Sequence, residues 1–239
     1  MGCCKGKKVI VTGGATGYGY GTAKKLREAG AEVTIVGRRL EVLQKAAEEL
    51  DVKHVQADIT NGDDWDKVFA AVGNRVDVLI NNAGAGVKVA SLADQSDAEI
   101  LESVNINLVG ALLGCRRAAK IMTEQKSGLI VNVSSVCSHY AWPGFTPYTA
   151  AKAGVDMFSR ALYTEVRPHG VRVTVVTPSW GATEFRNAAH LPPRDKDIVN
   201  KMMSPEQMGD LMVFLCGFHE NLELPEVMVQ PLVQEIVPF

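Results

Sequence analysis

The stretch Thr12-Gly13-Gly14-Ala15-Thr16-Gly17-Tyr18-Gly19-Tyr20-Gly21 follows a β-branched run at 8–12 and enters a helical pattern that carries Ala23, Leu26 and Arg27. A strand that breaks into glycines before a helix leaves backbone N–H groups bare at the positive end of the helix dipole, where side chains would otherwise block an anion. That arrangement suits a pyrophosphate, and Gly13, Thr16, Gly17, Tyr18 and Gly19 are the candidate residues to cradle it. The spacing is Gly-x-x-x-Gly-x-Gly, a departure from the commonest Gly-x-Gly-x-x-Gly turn.

Outward from this turn, short β-branched runs alternate with longer helical stretches, the pattern of stacked βαβ units. Strands are predicted at 8–12, 32–36, 54–56, 76–80, 129–134, 172–177 and 227–230. Several read Val-Ile-Val or Val-Leu-Ile without alternation, as strands covered on both faces do. Between them Leu40, Leu43, Ala47 and Leu50 line one amphipathic helix, and Trp65, Val68, Phe69 and Val72 line another. Ser204-Pro205-Glu206-Gln207 opens the last major helix with a cap residue and a proline at its first position. The predicted fold is α/β: a single-domain, Rossmann-like, doubly wound parallel sheet of about seven strands with helices on both faces, spanning residues 1–239. Residues 179–203, with Pro192, Pro193 and a charged run, read as a surface loop near a ligand.

Composition narrows the partners. Lys and Arg total 25 against 27 Asp and Glu, and no basic stripe is present, so nucleic acid is not expected. A chain of this size buries roughly three quarters of its unfolded surface and needs neither disulfide nor metal to hold a core. Cys3, Cys4, Cys115, Cys137 and Cys216 form no C-x-x-C pair and no zinc spacing with histidine, which points to reduced thiols in the cytoplasm and to no metal site. Nowhere do about 18 apolar residues run without interruption, so no membrane span is expected. Met1-Gly2-Cys3-Cys4 has the look of a dual lipidation signal, but Gly6 stands where Ser or Thr is required. The apolar run at 9–11 is too short for a signal peptide.

At the end of the second predicted strand, dinucleotide folds that bind NAD place a carboxylate on the adenosine ribose. Gly37 stands there instead, followed by Arg38 and Arg39. A guanidinium fork matches a 2′-phosphate that a carboxylate would repel, which favours NADP(H) over NAD(H). Were both arginines mere solvated charges, the choice of cofactor would stay open.

Tyr148-Thr149-Ala150-Ala151-Lys152 opens a long apolar helix, and a spacing of four puts phenol and ammonium on one face. A nearby ammonium stabilises a phenolate and lowers its pKa from about 10 towards working pH, as a general acid or base requires. Ser134-Ser135 and Asn81-Asn82-Ala83-Gly84 close two predicted strands at the same sheet edge, where open α/β sheets bind ligands.

Together these motifs resemble the short-chain dehydrogenase/reductase family over nearly the whole chain. Thr12-Gly13-x-x-x-Gly17-x-Gly19, Asp58-Ile59, Asn81-Asn82-Ala83-Gly84, Asn107, Ser135, Tyr148 with Lys152, and Pro178 followed by Thr183 stand in that family's order. The thirteen-residue step from Ser135 to Tyr148 selects Ser135 over Ser134. The resemblance implies that Tyr148 protonates a substrate carbonyl, Ser135 orients it, Lys152 holds the nicotinamide ribose and acidifies Tyr148, and Asn107 keeps a proton path to Lys152 open. It further implies that Asp58 and Ile59 flank the adenine, Asn82, Ala83 and Gly84 line the cofactor cleft with Pro178, and Thr183 holds the carboxamide. Homodimers or homotetramers built on the helices following Ser103 and Tyr148 are implied too.

Three departures from the family pattern stand out: Tyr18 in place of a small aliphatic residue, Pro178-Ser179-Trp180 in place of Pro-Gly, and a last strand without a glycine-rich tail. His139, Tyr140, Trp142 and Phe145 lie between Ser135 and Tyr148 and suggest a pocket for an apolar or aromatic carbonyl compound, unless they pack a loop or subunit contact. His139 reads as structural and Cys137 as an inert thiol, while Arg116-Arg117 and Lys24-Lys25 read as solvated charges. The expected activity is an NADP(H)-dependent interconversion of a ketone or aldehyde with its alcohol; an NAD(H)-dependent dehydrogenase and an idle dinucleotide-binding module are the rivals.

Overall fold

The computed structural model describes residues 4–85 and 88–235. Met1 to Cys3, on which the lipidation reading depends, lie outside the described residues.

Seven strands form one fully parallel sheet: β1 (Lys8–Thr12), β2 (Glu32–Gly37), β3 (Lys53–Gln56), β4 (Val78–Asn81), β5 (Gly128–Val133), β6 (Val171–Pro178) and β7 (Glu226–Val229). Their order is β3-β2-β1-β4-β5-β6-β7, so the direction of winding reverses between β1 and β4. That reversal leaves a crevice beyond the carboxyl ends of the central strands, the place where such sheets bind ligands.

Both faces of the sheet are covered, and this explains the lack of alternation. On one face Val9, Val11, Ile35 and Val131 pack with Leu26 of α1 (Gly17–Glu28), Leu43 of α2 (Leu40–Leu50) and Met208, Met212 and Leu215 of α9 (Pro205–Cys216). On the other, Ile10, Leu79 and Ile130 pack with Trp65 and Phe69 of α3 (Gly62–Ala71), Cys115 and Met122 of α5 (Gly110–Gln125), and Leu162 and Val166 of α6 (Thr146–Val166). Successive strand residues therefore serve opposite apolar layers.

β4 starts at Val78, two residues later than the sequence suggests, because the Val76 backbone is claimed by a side chain. Val76 N–H donates to Gln125 Oε1 at 3.2 Å, and Gln125 Nε2 donates to the Val76 carbonyl at 2.9 Å. At the start of α9, Ser204 and Gln207 close a reciprocal capping box around Pro205.

Between β4 and β5 runs one helical stretch of 29 residues, Asp97–Gln125, comprising α4 (Asp97–Val104), a π-helical turn (Asn105–Val109) and α5. It has the length and hydropathy of a bilayer span, which a count of uninterrupted apolar residues passes over. Its Cys115, Ala118 and Met122 lie wholly buried against the sheet. Arg117 is not the solvated charge the sequence suggested: it donates to Asp66 Oδ1 at 2.6 Å and to the Gly62 carbonyl at 2.8 Å, fastening α5 to α3. The segment 179–203 holds two short helical turns, α7 (Phe185–Ala188) and α8 (Lys196–Val199).

Candidate active site

The crevice is built from the ends of β1, β4 and β5 and the start of α6. Thr12 stitches the first two together: its Oγ1 accepts from Asn82 N at 3.1 Å and Ala83 N at 2.9 Å, while Asn82 Nδ2 donates to the Thr12 carbonyl at 3.0 Å. The glycine turn then crosses so closely that a Cβ on Gly19 would sit 2.1 Å from the Gly13 carbonyl oxygen. Gly17 has φ of 52°, a left-handed backbone that favours glycine. A side chain at either position would fill the cradle, so this turn fits a pyrophosphate approaching bare backbone.

Beside the turn lies a cleft of about 210 Å³ lined by Gly13, Thr16, Gly37, Arg38, Arg39, Asp58, Ile59, Ala83 and Gly84, together with Ala15, Val36, Val42, Leu43, Ala57, Ala85 and Ile106. Most of the residues singled out for the adenosine half of a dinucleotide thus meet in one place. Arg38 projects at its rim with Nη1 3.8 Å from Asp58 Oδ2. Arg39 occupies the N-cap position of α2 without a side-chain cap, which leaves the N–H groups of that helix start available to an anion.

At the other end of the crevice, Tyr148 and Lys152 are buried on one face of α6, with the Lys152 ammonium 5.7 Å from the phenol ring centre. Lys152 Nζ donates to the Val133 carbonyl at 2.9 Å, where β5 ends. A Cβ on Gly84 would lie 2.9 Å from Asn107 Oδ1 and 3.6 Å from Lys152 Nζ, so Gly84, Asn107 and Lys152 converge on one spot. Asn107 is held there by the π-helical turn; its amide donates to the carbonyls of Ser103 at 3.1 Å and Ala85 at 3.2 Å, and its Oδ1 accepts from Ala85 N–H at 3.2 Å. Ser135 follows β5 in extended backbone, with its Oγ accepting from Cys137 N–H at 3.2 Å.

The electrostatics differ from the sequence expectation in one respect. Burial raises the Tyr148 phenol above its ordinary range, and the neighbouring Cys137 thiol adds to the rise while the Ser135 hydroxyl opposes it. Lys152 is itself pulled down to about 8 by burial, against the favourable field of Asp156 one helical turn further on. Burial thus disfavours the charged form of both side chains of the pair. Burial likewise raises the Cys137 thiol, in keeping with an inert side chain.

The loop after β6 folds back over the crevice. Thr183 sits against Gly17, a Cβ on Gly181 would collide with the Tyr18 hydroxyl, and Phe185 lies 5.6 Å from the Tyr148 ring. Pro178 ends β6 in register with Val229 of β7. The Gln234 side chain accepts from the Trp180 N–H at 2.9 Å and from the Ser179 hydroxyl, which ties the loop to the chain beyond β7. Phe185 was not singled out in the sequence, since nothing in a loop pattern marks which ring will reach the site.

Of the four rings between Ser135 and Tyr148, Phe145 stands beside the phenol, with ring centres 6.2 Å apart. His139 turns away from Tyr148's pocket. Its Nε2 lies 2.6 Å from Glu226 Oε1 and 3.5 Å from Asp156 Oδ2, and Arg160 and Thr177 also bond Glu226. These three ionisable groups lie close enough to ligate a metal, but here they engage one another and strap the 136–139 turn to α6 and β7.

Comparison with known proteins decides the family. Residues 7–192 match the short chain dehydrogenase family. The chain belongs to that family. Among its curated relatives, carbonyl reductase family member 4 of Xenopus laevis is 31% identical over 219 residues, covering 87% of this chain and 90% of the relative. Tropinone reductase-like 2 of Erythroxylum coca is 31% identical over 217 residues, covering 87% and 78%. In structure the chain is similar to the closed form of a serine dehydrogenase complexed with NADP+, with a TM-score of 0.89, 25% identity, and coverage of 97% of this chain and 98% of that one. This short-chain dehydrogenase is thus an oxidoreductase, with a fold suited to a nicotinamide dinucleotide.

Proposed function

We propose that the protein is an NADP(H)-dependent oxidoreductase that interconverts a ketone or aldehyde and its alcohol, with Tyr148 as the general acid and base. The observation that carries this reading is the convergence of buried Tyr148, Lys152 and Asn107 at the end of a crevice whose other end holds the glycine turn, Arg38 and Arg39. When bound, the nicotinamide supplies or takes up the hydride.

The chain's own residues do the rest. Gly13, Thr16, Gly17 and Gly19 present backbone to the pyrophosphate, and Tyr18 covers them beneath the loop. Ile59 and Asp58 border the adenine, while Arg38 and the uncapped start of α2 at Arg39 attract the 2′-phosphate. Asn82, Ala83 and Gly84 line the middle of the cleft, and Pro178 and Thr183 flank the nicotinamide end. Ser135 donates a hydrogen bond to the substrate oxygen, which polarises the carbonyl. Tyr148 then gives its proton to that oxygen as the carbon is reduced, and Lys152 stabilises the phenolate that remains. Asn107 holds the route by which Lys152 regains a proton through water. In balance, one carbonyl compound, one NADPH and one proton become one alcohol and one NADP+.

Phe145 and Phe185 flank Tyr148 and favour a substrate with an apolar body. Met157 is a large exposed apolar residue, 64% accessible, on α6, a helix through which a dimer or tetramer would form. A cytoplasmic enzyme without nucleic-acid or membrane partner completes the reading.

The test is consumption of NADPH, against NADH, with a panel of aliphatic and aromatic ketones and aldehydes. Oxidation of NADPH by at least one of them is expected. Tight NADPH binding with no turnover of any would overturn the assignment in favour of an idle dinucleotide-binding module.

A further inference from the structure

Two arginines of the loop after β6 have no carboxylate partner among the described residues. Among the described residues no ion pair joins Arg186 or Arg194 to any acid, although Glu184 and Asp195 are close in sequence. The Arg186 Nε and the Arg194 Nη1 are shielded from solvent and donate to no acceptor among the described residues. Among the described residues, the one hydrogen bond of either guanidinium runs from Arg186 Nη2 to the Pro192 carbonyl. The two cations also sense each other: burial, and then the field of Arg186, make Arg194 a weaker base than usual.

A guanidinium N–H closed off from water without a hydrogen-bond partner costs stability, even though both arginine side chains remain partly exposed. The surroundings indicate what the arrangement serves. The Arg194 guanidinium lies over the Trp180 ring, 3.2 Å from its centre. Stacking covers one face of the guanidinium, and its Nη1, closed to water and unpartnered among the described residues, lies on the edge that meets an oxyanion in two parallel hydrogen bonds. Arg186 follows Phe185, which touches Tyr148, and the same loop rests on the glycine turn through Thr183 and Gly181. Both cations are thus rooted in the segment that roofs the reacting end of the crevice.

We infer that Arg186 and Arg194 receive an oxyanion carried by the substrate, so that the enzyme acts on carbonyl compounds bearing a carboxylate or phosphate beside an apolar body. This deepens the reductase reading above and rests on it. It also gives a use to Trp180, which follows the Ser179 standing in the place of the family's glycine, since its ring stacks the Arg194 guanidinium.

The experiment compares benzoylformate with methyl benzoylformate, which share ring and ketone and differ in the charge. In the wild-type protein kcat/KM for the acid should exceed that for the ester by about tenfold or more, and Arg194→Gln and Arg186→Gln should each lower that ratio by about tenfold to a hundredfold, mainly through KM. Arg194→Lys, which keeps the charge but not the planar fork, should recover part of the loss. An acid-to-ester ratio unchanged in both glutamine variants overturns the inference. So does a loss confined to NADPH affinity, because the arginines would then serve the cofactor's pyrophosphate. Calorimetric titration of the NADP+-loaded protein with benzoylformate reads the site without turnover. Binding that weakens tenfold in the variants supports the oxyanion site even if reduction fails, and equal binding in all of them refutes it even if reduction succeeds.

Discussion

Replacing Arg38 by Ala separates the two nicotinamide cofactors. The Arg38 side chain is 59% exposed and its only ionic neighbour among the described residues is Asp58, at a loose 3.8 Å. A hydrogen bond to a charged group contributes about 1.5–3 kcal/mol, and solvent exposure places this one near the lower end. About 1.4 kcal/mol is tenfold in affinity, so NADPH should bind roughly tenfold to thirtyfold more weakly to Arg38→Ala, while NADH, without a 2′-phosphate, should change less than about twofold. Arg38→Asp adds a second carboxylate beside Asp58 and should invert the preference. Titration of nicotinamide fluorescence with each cofactor measures both constants. Because the contact is exposed, the NADPH advantage should shrink as salt is raised from about 50 to 500 mM. Equal weakening of both cofactors, or none of either, would refute a 2′-phosphate site at Arg38 and return the choice to NAD(H).

Other perturbations have equally definite outcomes. Lys152 has its folded-state pKa depressed to about 8 by burial, so the unfolded chain binds more protons and wild-type stability should rise between about pH 8 and 10. Lys152→Met removes that slope, and urea unfolding at pH 7 and 9.5 should show the variant's gain to be larger at pH 7; parallel profiles would refute the desolvated ammonium. Tyr18 carries a buried hydroxyl without a partner, so Tyr18→Phe should stabilise the unliganded protein by about 1 kcal/mol and raise Tm by about 2–4 °C; a fall would mean that the hydroxyl is paired. Gly19→Ala forces a methyl to within 2.1 Å of the Gly13 carbonyl, and should cost about 1–3 kcal/mol by thermal unfolding and abolish measurable NADPH binding. An alanine variant that binds normally would show that the turn opens elsewhere.

The sheet was legible because a strand buried on both faces has one composition and little freedom. β1 spans the predicted residues, and the other strands differ at their ends by a residue or two. At the largest slip, the start of β4, a side chain takes the backbone's place: Gln125 engages both polar groups of Val76. Gly13, Thr16 and Arg38 were picked out by backbone approach and charge, which act locally in sequence, and Asp58 and Gly84 by the family resemblance; all of them line one cleft. What escaped depends on long-range placement. The π-helical turn that seats Asn107 has no local signature, Phe185 reaches Tyr148 only through the path of a loop, and His139 is claimed by Glu226, 87 residues away. The spacing pointed to an acidified phenol, but it says nothing of burial, which raises Tyr148 and lowers Lys152.

Single-turnover reduction of a carbonyl substrate by NADPH-loaded protein tests most directly whether Tyr148 delivers the proton. With Tyr148→Phe, which keeps the ring between Phe145 and Phe185, NADPH should bind within about twofold of wild type while the hydride-transfer rate falls by about a thousandfold or more, the scale of a lost general acid. A rate within tenfold of wild type, at full cofactor occupancy, would contradict the assignment.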